Sequence, residues 1–154
     1  MTTHHRLSAV RLLVQLVLAG VFVTAAFNKI LDPQSFAVSV TSYRVLPLEA
    51  SPWIALFLPW LEIFAGFGLL IRPIQRASSL TVSTLLLMFI GINLAAWVRG
   101  LEVSCGCFGA SEVQTNYAWL ITRNSIFWLG SLGLVWSSWR NAPARLRSQA
   151  DSLE

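Results

Sequence analysis

The chain has 154 residues, of which 55% are hydrophobic and only 12% charged, with a mean hydropathy of +0.63. Soluble domains carry about 25% charged residues, so this composition excludes an ordinary soluble domain and points to a single membrane domain. The formal charge of +4 and the pI near 9.8 come from cations set in small groups between apolar runs, which argues against a nucleic-acid-binding patch and for membrane topology.

Four apolar runs, at 7–27, 53–71, 77–98 and 118–139, each approach the roughly 20 residues that a helix needs to cross a bilayer core of about 30 Å. The expected fold is all-α, an integral membrane four-helix bundle over residues 1–140 followed by a polar cytoplasmic tail at 141–154. Arg6 and Arg11 before the first run, with Thr24-Ala25-Ala26 near its end, resemble a cleavable signal peptide. The run is long for a signal core, so it is read as a retained span.

In the first connection Asp32 is placed to cap a helix that Pro33 begins. Phe36, Val40 and Tyr43 then share one face at i, i+4 and i+7. A short amphipathic helix on the outer membrane surface is expected, either capping the bundle or gating a ligand.

The second run carries Glu62, ten residues beyond Pro52 and so about 15 Å down a helix. An ionised carboxylate at mid-membrane costs about 2.5–3.5 kcal/mol, so Glu62 should be paired, protonated or hydrated. Arg123 and Lys29 are the candidate ionic partners, and Asn93 and Asn124 can add hydrogen bonds. All of them fall in the outer half of the bundle. The group reads either as a buried pair that fixes helix register or as a proton-handling or quinone-head pocket.

Arg72-Pro73 marks the turn to the third run. Gly66, Gly68, Gly91 and Ala95 are expected to permit close helix packing. Trp53, Trp97, Trp119 and Trp139 fall near the ends of runs, as an interfacial aromatic belt would. The sequence shows neither an internal repeat nor a phosphate loop, nucleophile elbow or dinucleotide fingerprint.

Orientation follows from the basic residues. Arg6, Arg11, Arg72, Arg76, Arg140, Arg145 and Arg147 lie on one side, against Lys29, Arg44, Arg99 and Arg123 on the other. The positive-inside rule places both termini in the cytoplasm. The loop with Cys105 and Cys107 then faces outward from a bacterial inner membrane.

Several segments together carry a family resemblance. They are Phe27-Asn28-Lys29-Ile30-Leu31-Asp32-Pro33 with Phe36 and Tyr43, Leu58-Pro59-Trp60-Leu61-Glu62, Arg99-Gly100-Leu101, Cys105-Gly106-Cys107-Phe108-Gly109 and Arg123-Asn124. The chain resembles the methylamine-utilisation protein MauE family, within the broader DoxX-like membrane proteins. The Cys-Gly-Cys-Phe-Gly segment is its most specific part. The resemblance implies a four-helix membrane protein that works beside a thioredoxin-like periplasmic partner in forming or handling disulfides of an exported client. In the strict family that client belongs to methylamine dehydrogenase maturation.

Disulfides persist outside the cytoplasm, and a bent i to i+2 segment can bring two Cα atoms within the about 4.4–6.8 Å that a disulfide needs. Gly106 eases the bend, while Phe108 and Gly109 complete the loop's shape. A ring so tight would be strained, and strained disulfides are the exchangeable ones. Thiol-disulfide exchange is therefore favoured over an inert loop disulfide or two free or metal-binding thiols. A closed zinc site usually takes four ligands, and only Glu102 and Glu112 lie near the cysteines. No metal is expected. A helix bundle has the geometry to hold a quinone beneath the loop, although no motif marks one. The rival classes are a non-catalytic membrane scaffold for a maturation protein and a small-solute transporter with Glu62 at its substrate site.

Orientation is testable with a membrane-impermeant thiol reagent on intact cells or spheroplasts after mild reduction. Cys105 and Cys107 should be labelled without breaking the inner membrane, and labelling only after lysis would reverse the topology.

Overall fold

The computed structural model describes residues 2–44, 47, 49–101 and 116–140, with side chains described from Ser8 to Trp139 within those stretches. Cys105, Gly106, Cys107, Phe108 and Gly109, and the tail at 141–154, lie outside the described residues. Among the described residues every regular element is a helix: α1 (Thr2–Leu31), α2 (Pro33–Ser42), α3 (Ser51–Gly68), α4 (Gln75–Val98) and α5 (Tyr117–Arg140).

Among the described residues three stretches are long and apolar enough to cross a membrane: Ser8–Leu31, Ser51–Gly68 and Gln75–Val98. With 24 residues, α5 equals α4 in length. Arg123-Asn124 and its serines lower its hydropathy. The four long helices form a ring in which α1 packs on α3, α3 on α4, α4 on α5 and α5 on α1, so that sequence neighbours are also spatial neighbours. The short link at 69–74 fits antiparallel packing of α3 and α4.

Burial follows a helical period in each member of the ring. Leu18, Phe22, Ala26 and Lys29 form the buried stripe of α1, and Ala55, Leu58, Glu62, Ala65 and Leu69 that of α3 and its end. On α4 the stripe runs through Val82, Leu86, Asn93 and Ala96, and on α5 through Leu120, Asn124, Ser131 and Leu134. The opposite faces carry large apolar side chains: Phe64 is 70% exposed, Val98 80% and Trp136 70%. Apolar surface this extensive is costly in water and favourable in lipid. Trp53, Trp97, Trp119 and Trp139 are all exposed, as an interfacial belt requires. The chain is an all-α, multi-pass membrane protein.

The first connection is built as its sequence suggests. Asp32 is the N-cap of α2, its Oδ1 accepting the Ser35 backbone N–H at 3.0 Å, with Pro33 in the first turn. The Ser35 hydroxyl and amide together hold the Asp32 carboxyl below the ordinary carboxylate range. Phe36 is buried and Val40 packs against the core, so the apolar face of α2 turns onto the bundle, chiefly against α3.

Close packing at glycine is real at two of the three expected sites. A Cβ on Gly66 would lie 3.3 Å from the Ala19 carbonyl oxygen and from Phe22 Cβ, so its absence lets α1 and α3 approach. At Gly68 it would lie 2.0 Å from Ser78 Oγ and 3.0 Å from Ser78 Cβ. Gly91 faces open space, because its position on α4 points away from the ring.

Gly66→Leu should therefore lower stability by about 1–3 kcal/mol through overpacking, whereas Gly91→Leu should stay within about 0.5 kcal/mol of the parent. Equilibrium unfolding in detergent micelles measures both. Equal losses would contradict the packing described.

A buried polar cluster at the α2 end of the bundle

Each long helix contributes a polar residue to its buried stripe near the end of the bundle where α1 finishes and α3 begins: Lys29, Glu62, Asn93 and Asn124. The helical period makes this unavoidable. Lys29 lies three residues beyond Ala26 and seven beyond Phe22, and Glu62 lies four beyond Leu58 and seven beyond Ala55, so both inherit the direction of the apolar side chains before them.

Lys29 Nζ donates a hydrogen bond to Glu62 Oε1 in an ion pair whose side chains are each 1% exposed. The ammonium also lies 5.1 Å from the centre of the Phe36 ring and 5.0 Å from that of Phe89, within cation–π range. Lys29 on α1 thus contacts α2, α3 and α4 at once. The second carboxylate oxygen, Glu62 Oε2, is buried with no hydrogen-bond partner among the described residues. Of the two cations considered as partners, Lys29 makes the ion pair, and Arg123 lines the adjoining cavity.

That cavity is small, about 40 Å³. Lys29, Glu62, Asn93, Arg123 and Asn124 supply its polar lining, so all five polar residues singled out in the sequence meet in one place. Phe22, Phe89 and Phe127 supply aromatic wall. Asn93 donates through Nδ2 to the Phe89 carbonyl at 2.7 Å, and its Oδ1 accepts from the Tyr43 hydroxyl at 3.3 Å, linking α4 to the end of α2.

Further bonds fasten the same end. Arg99 donates to the carbonyls of Tyr43 at 3.3 Å and Arg44 at 3.2 Å, so the cation at the end of α4 covers the C-terminus of α2. The Tyr117 hydroxyl donates to the Leu101 carbonyl, tying the start of α5 to the exit from α4. The segment 102–116, which carries Cys105 and Cys107, is therefore bounded on both sides by residues held at this end. Sequence reading missed the aromatic contacts of Lys29. Phe89 precedes Asn93 by one turn, which was a usable signal.

Removing one member of a buried pair strands the other's charge, at a cost of about 3–5 kcal/mol. Lys29→Met and Glu62→Leu should each destabilise by that order, and the double variant should recover much of the loss. Unfolding of all four species in detergent gives the cycle, and strictly additive losses would contradict direct coupling.

A family model described as "Methylamine utilisation protein MauE" matches residues 7–137. The chain is 31% identical to the methylamine utilization protein MauE of Paracoccus denitrificans over 140 residues, spanning 90% of this chain and 75% of that one. It is 31% identical over 116 residues to the protein of that name from Methylorubrum extorquens, covering 73% of this chain and 61% of the relative. For the one from Paracoccus versutus the identity is 33% over 119 residues, covering 75% and 63%. The match thus spans less than two thirds of the length of the latter two relatives. No solved structure matches the chain. The chain belongs to the MauE family.

Proposed function

We propose that this protein is the membrane component of a thiol-disulfide exchange system on the outer side of a bacterial inner membrane. It works with a thioredoxin-like periplasmic partner in the maturation of an exported protein of methylamine utilisation. In this reading α5 is the fourth span, both termini are cytoplasmic and the cysteine segment faces outward, in keeping with the distribution of basic residues. Lys29, Glu62, Arg123, Asn93 and Asn124 are its binding or proton-handling group. Cys105 and Cys107 are the exchanging residues, and Gly106, Phe108 and Gly109 shape the loop around them.

The supporting observation is the tether between Tyr117 and Leu101. It holds both ends of the cysteine-bearing segment at the end of the bundle where the buried polar group lies. A partner thiolate attacks one sulfur of the Cys105–Cys107 disulfide, giving a mixed disulfide and releasing the other sulfur as thiolate. The partner's second thiolate then resolves the mixed disulfide. The partner leaves oxidised, and two electrons remain on the Cys105–Cys107 dithiol. Reoxidation passes those electrons to a membrane acceptor. With a client disulfide as oxidant the same steps run as disulfide reduction of the client.

Cys105→Ser and Cys107→Ser each leave one thiolate, which can attack a partner disulfide in the reverse direction but lacks the second cysteine that would resolve the mixed disulfide. A mixed disulfide with the thioredoxin-like partner should accumulate in one single variant more than in the other, detected by mass spectrometry after acid quenching of membranes. Client maturation should fail in both. Full maturation in the double variant would overturn the exchange reading in favour of a scaffold, whose docking surface would be α2 as latched by Arg99.

A further inference from the structure

We infer that the cavity beside the Lys29–Glu62 pair is a water-binding site, in which internal water bridges the Glu62 carboxylate of α3 to the amide of Asn124 on α5. Glu62 Oε2 is buried with no hydrogen-bond partner among the described residues, and Glu62 lines the cavity. A carboxylate oxygen shut away in this way calls for a donor. Asn124, 8% exposed, and Lys29 line the same space and carry N–H donors. A water among them donates to Oε2 and accepts from the amide or the ammonium, which satisfies both sides at once.

Size and charge select water over other ligands. One buried water needs about 10–15 Å³ of space and roughly two to four polar partners. The cavity of about 40 Å³ therefore takes roughly one to three waters and is too small for an organic ring. Lys29 and Arg123 line it and repel a metal cation, while the Glu62 carboxylate repels an anion. Phe22, Phe89 and Phe127 form the apolar wall, which confines the water's hydrogen bonds to the polar side.

The inference deepens the proton-handling role proposed for this group and takes its purpose from that reading, while the binding of water does not depend on it. The charged groups facing Glu62 are Lys29 from α1 and, across the cavity, Arg123 from α5. From α2 and α4 come Phe36, Phe89 and Asn93, which carry no charge. With Oε1 held by Lys29, Oε2 is the open position for a proton. Water donates to the carboxylate and accepts from the carboxylic acid, so one water serves both states. A hydronium proton passing to Oε2 leaves a neutral water in place, and the reverse transfer regenerates the carboxylate.

X-ray radiolytic footprinting of the full chain in lipid nanodiscs and heavy-oxygen water tests the site, because hydroxyl radicals formed from a bound water oxidise the side chains beside it. Phe89 and Phe127, which wall the cavity, should gain heavy oxygen about tenfold more than Phe64, which is 70% exposed on the face suited to lipid. Ala25→Leu fills the cavity from α1, and Asn124→Leu removes the amide on α5. Each should lower the labelling about tenfold in samples that elute as folded protein. The comparison within the parent decides the matter if a variant does not fold. The Cys105→Ser/Cys107→Ser variant should label as the parent does, so failure of exchange and failure of water binding are distinguishable. Labelling of Phe89 and Phe127 no higher than that of Phe64, or unchanged labelling in either folded cavity variant, would overturn the inference.

Discussion

The ion pair between Lys29 and Glu62 is the constraint on which the rest of the bundle depends. Neither charge can be left alone at this depth. An unpaired ion in hydrocarbon costs several kcal/mol, and the attraction between the two offsets that only when both are held in contact. Contact between α1 and α3 at this level fixes the rotation of both helices. Because the same ammonium faces Phe36 and Phe89, it also sets where α2 and α4 lie. The half-satisfied carboxylate that results is the group most exposed to a change of ligand or proton.

The two ends of the bundle differ in kind. At the α1 start, the Arg11 guanidinium donates to Gln75 Oε1 at 2.8 Å, joining the beginnings of α1 and α4. At the α2 end, Arg99, Tyr43, Asn93 and Tyr117 join the end of α2, the exit from α4 and the start of α5. The second end is where polar bonds, the cavity and the anchors of the cysteine segment meet. A membrane protein need spend buried polar groups only where something is to be bound, oriented or switched, and this one concentrates them at the end where Leu101 and Tyr117 are tied together.

Much of this was legible in the sequence because local rules govern it. Asp32-Pro33 starts α2 by capping chemistry, and the apolar runs lie close to the helix bounds, except that α1, at Thr2–Leu31, exceeds the 7–27 run at both ends. Glu62 announced its need for a partner by its depth. The choice between Lys29 and Arg123 was not legible, since it depends on how α1 and α5 rotate and tilt against α3. For the same reason Gly91 looked like a packing glycine and lies on an open face, and the aromatic contacts of Lys29 required the three-dimensional meeting of α2 with α4. The weak hydropathy of α5 comes from its serines and from Arg123-Asn124, and the latter two line the cavity.

The central claim, that Cys105 and Cys107 form an exchanging pair rather than a staple, is tested most directly by their reduction potential. The protein in nanodiscs would be equilibrated with defined glutathione and dithiothreitol couples, acid-quenched and alkylated for mass analysis. Structural disulfides have potentials below about −300 mV, whereas labile and catalytic ones are more oxidising. The account predicts a reversible two-electron transition of this pair above about −300 mV. A bridge that resists reduction through that range, or two thiols that never pair, would contradict it.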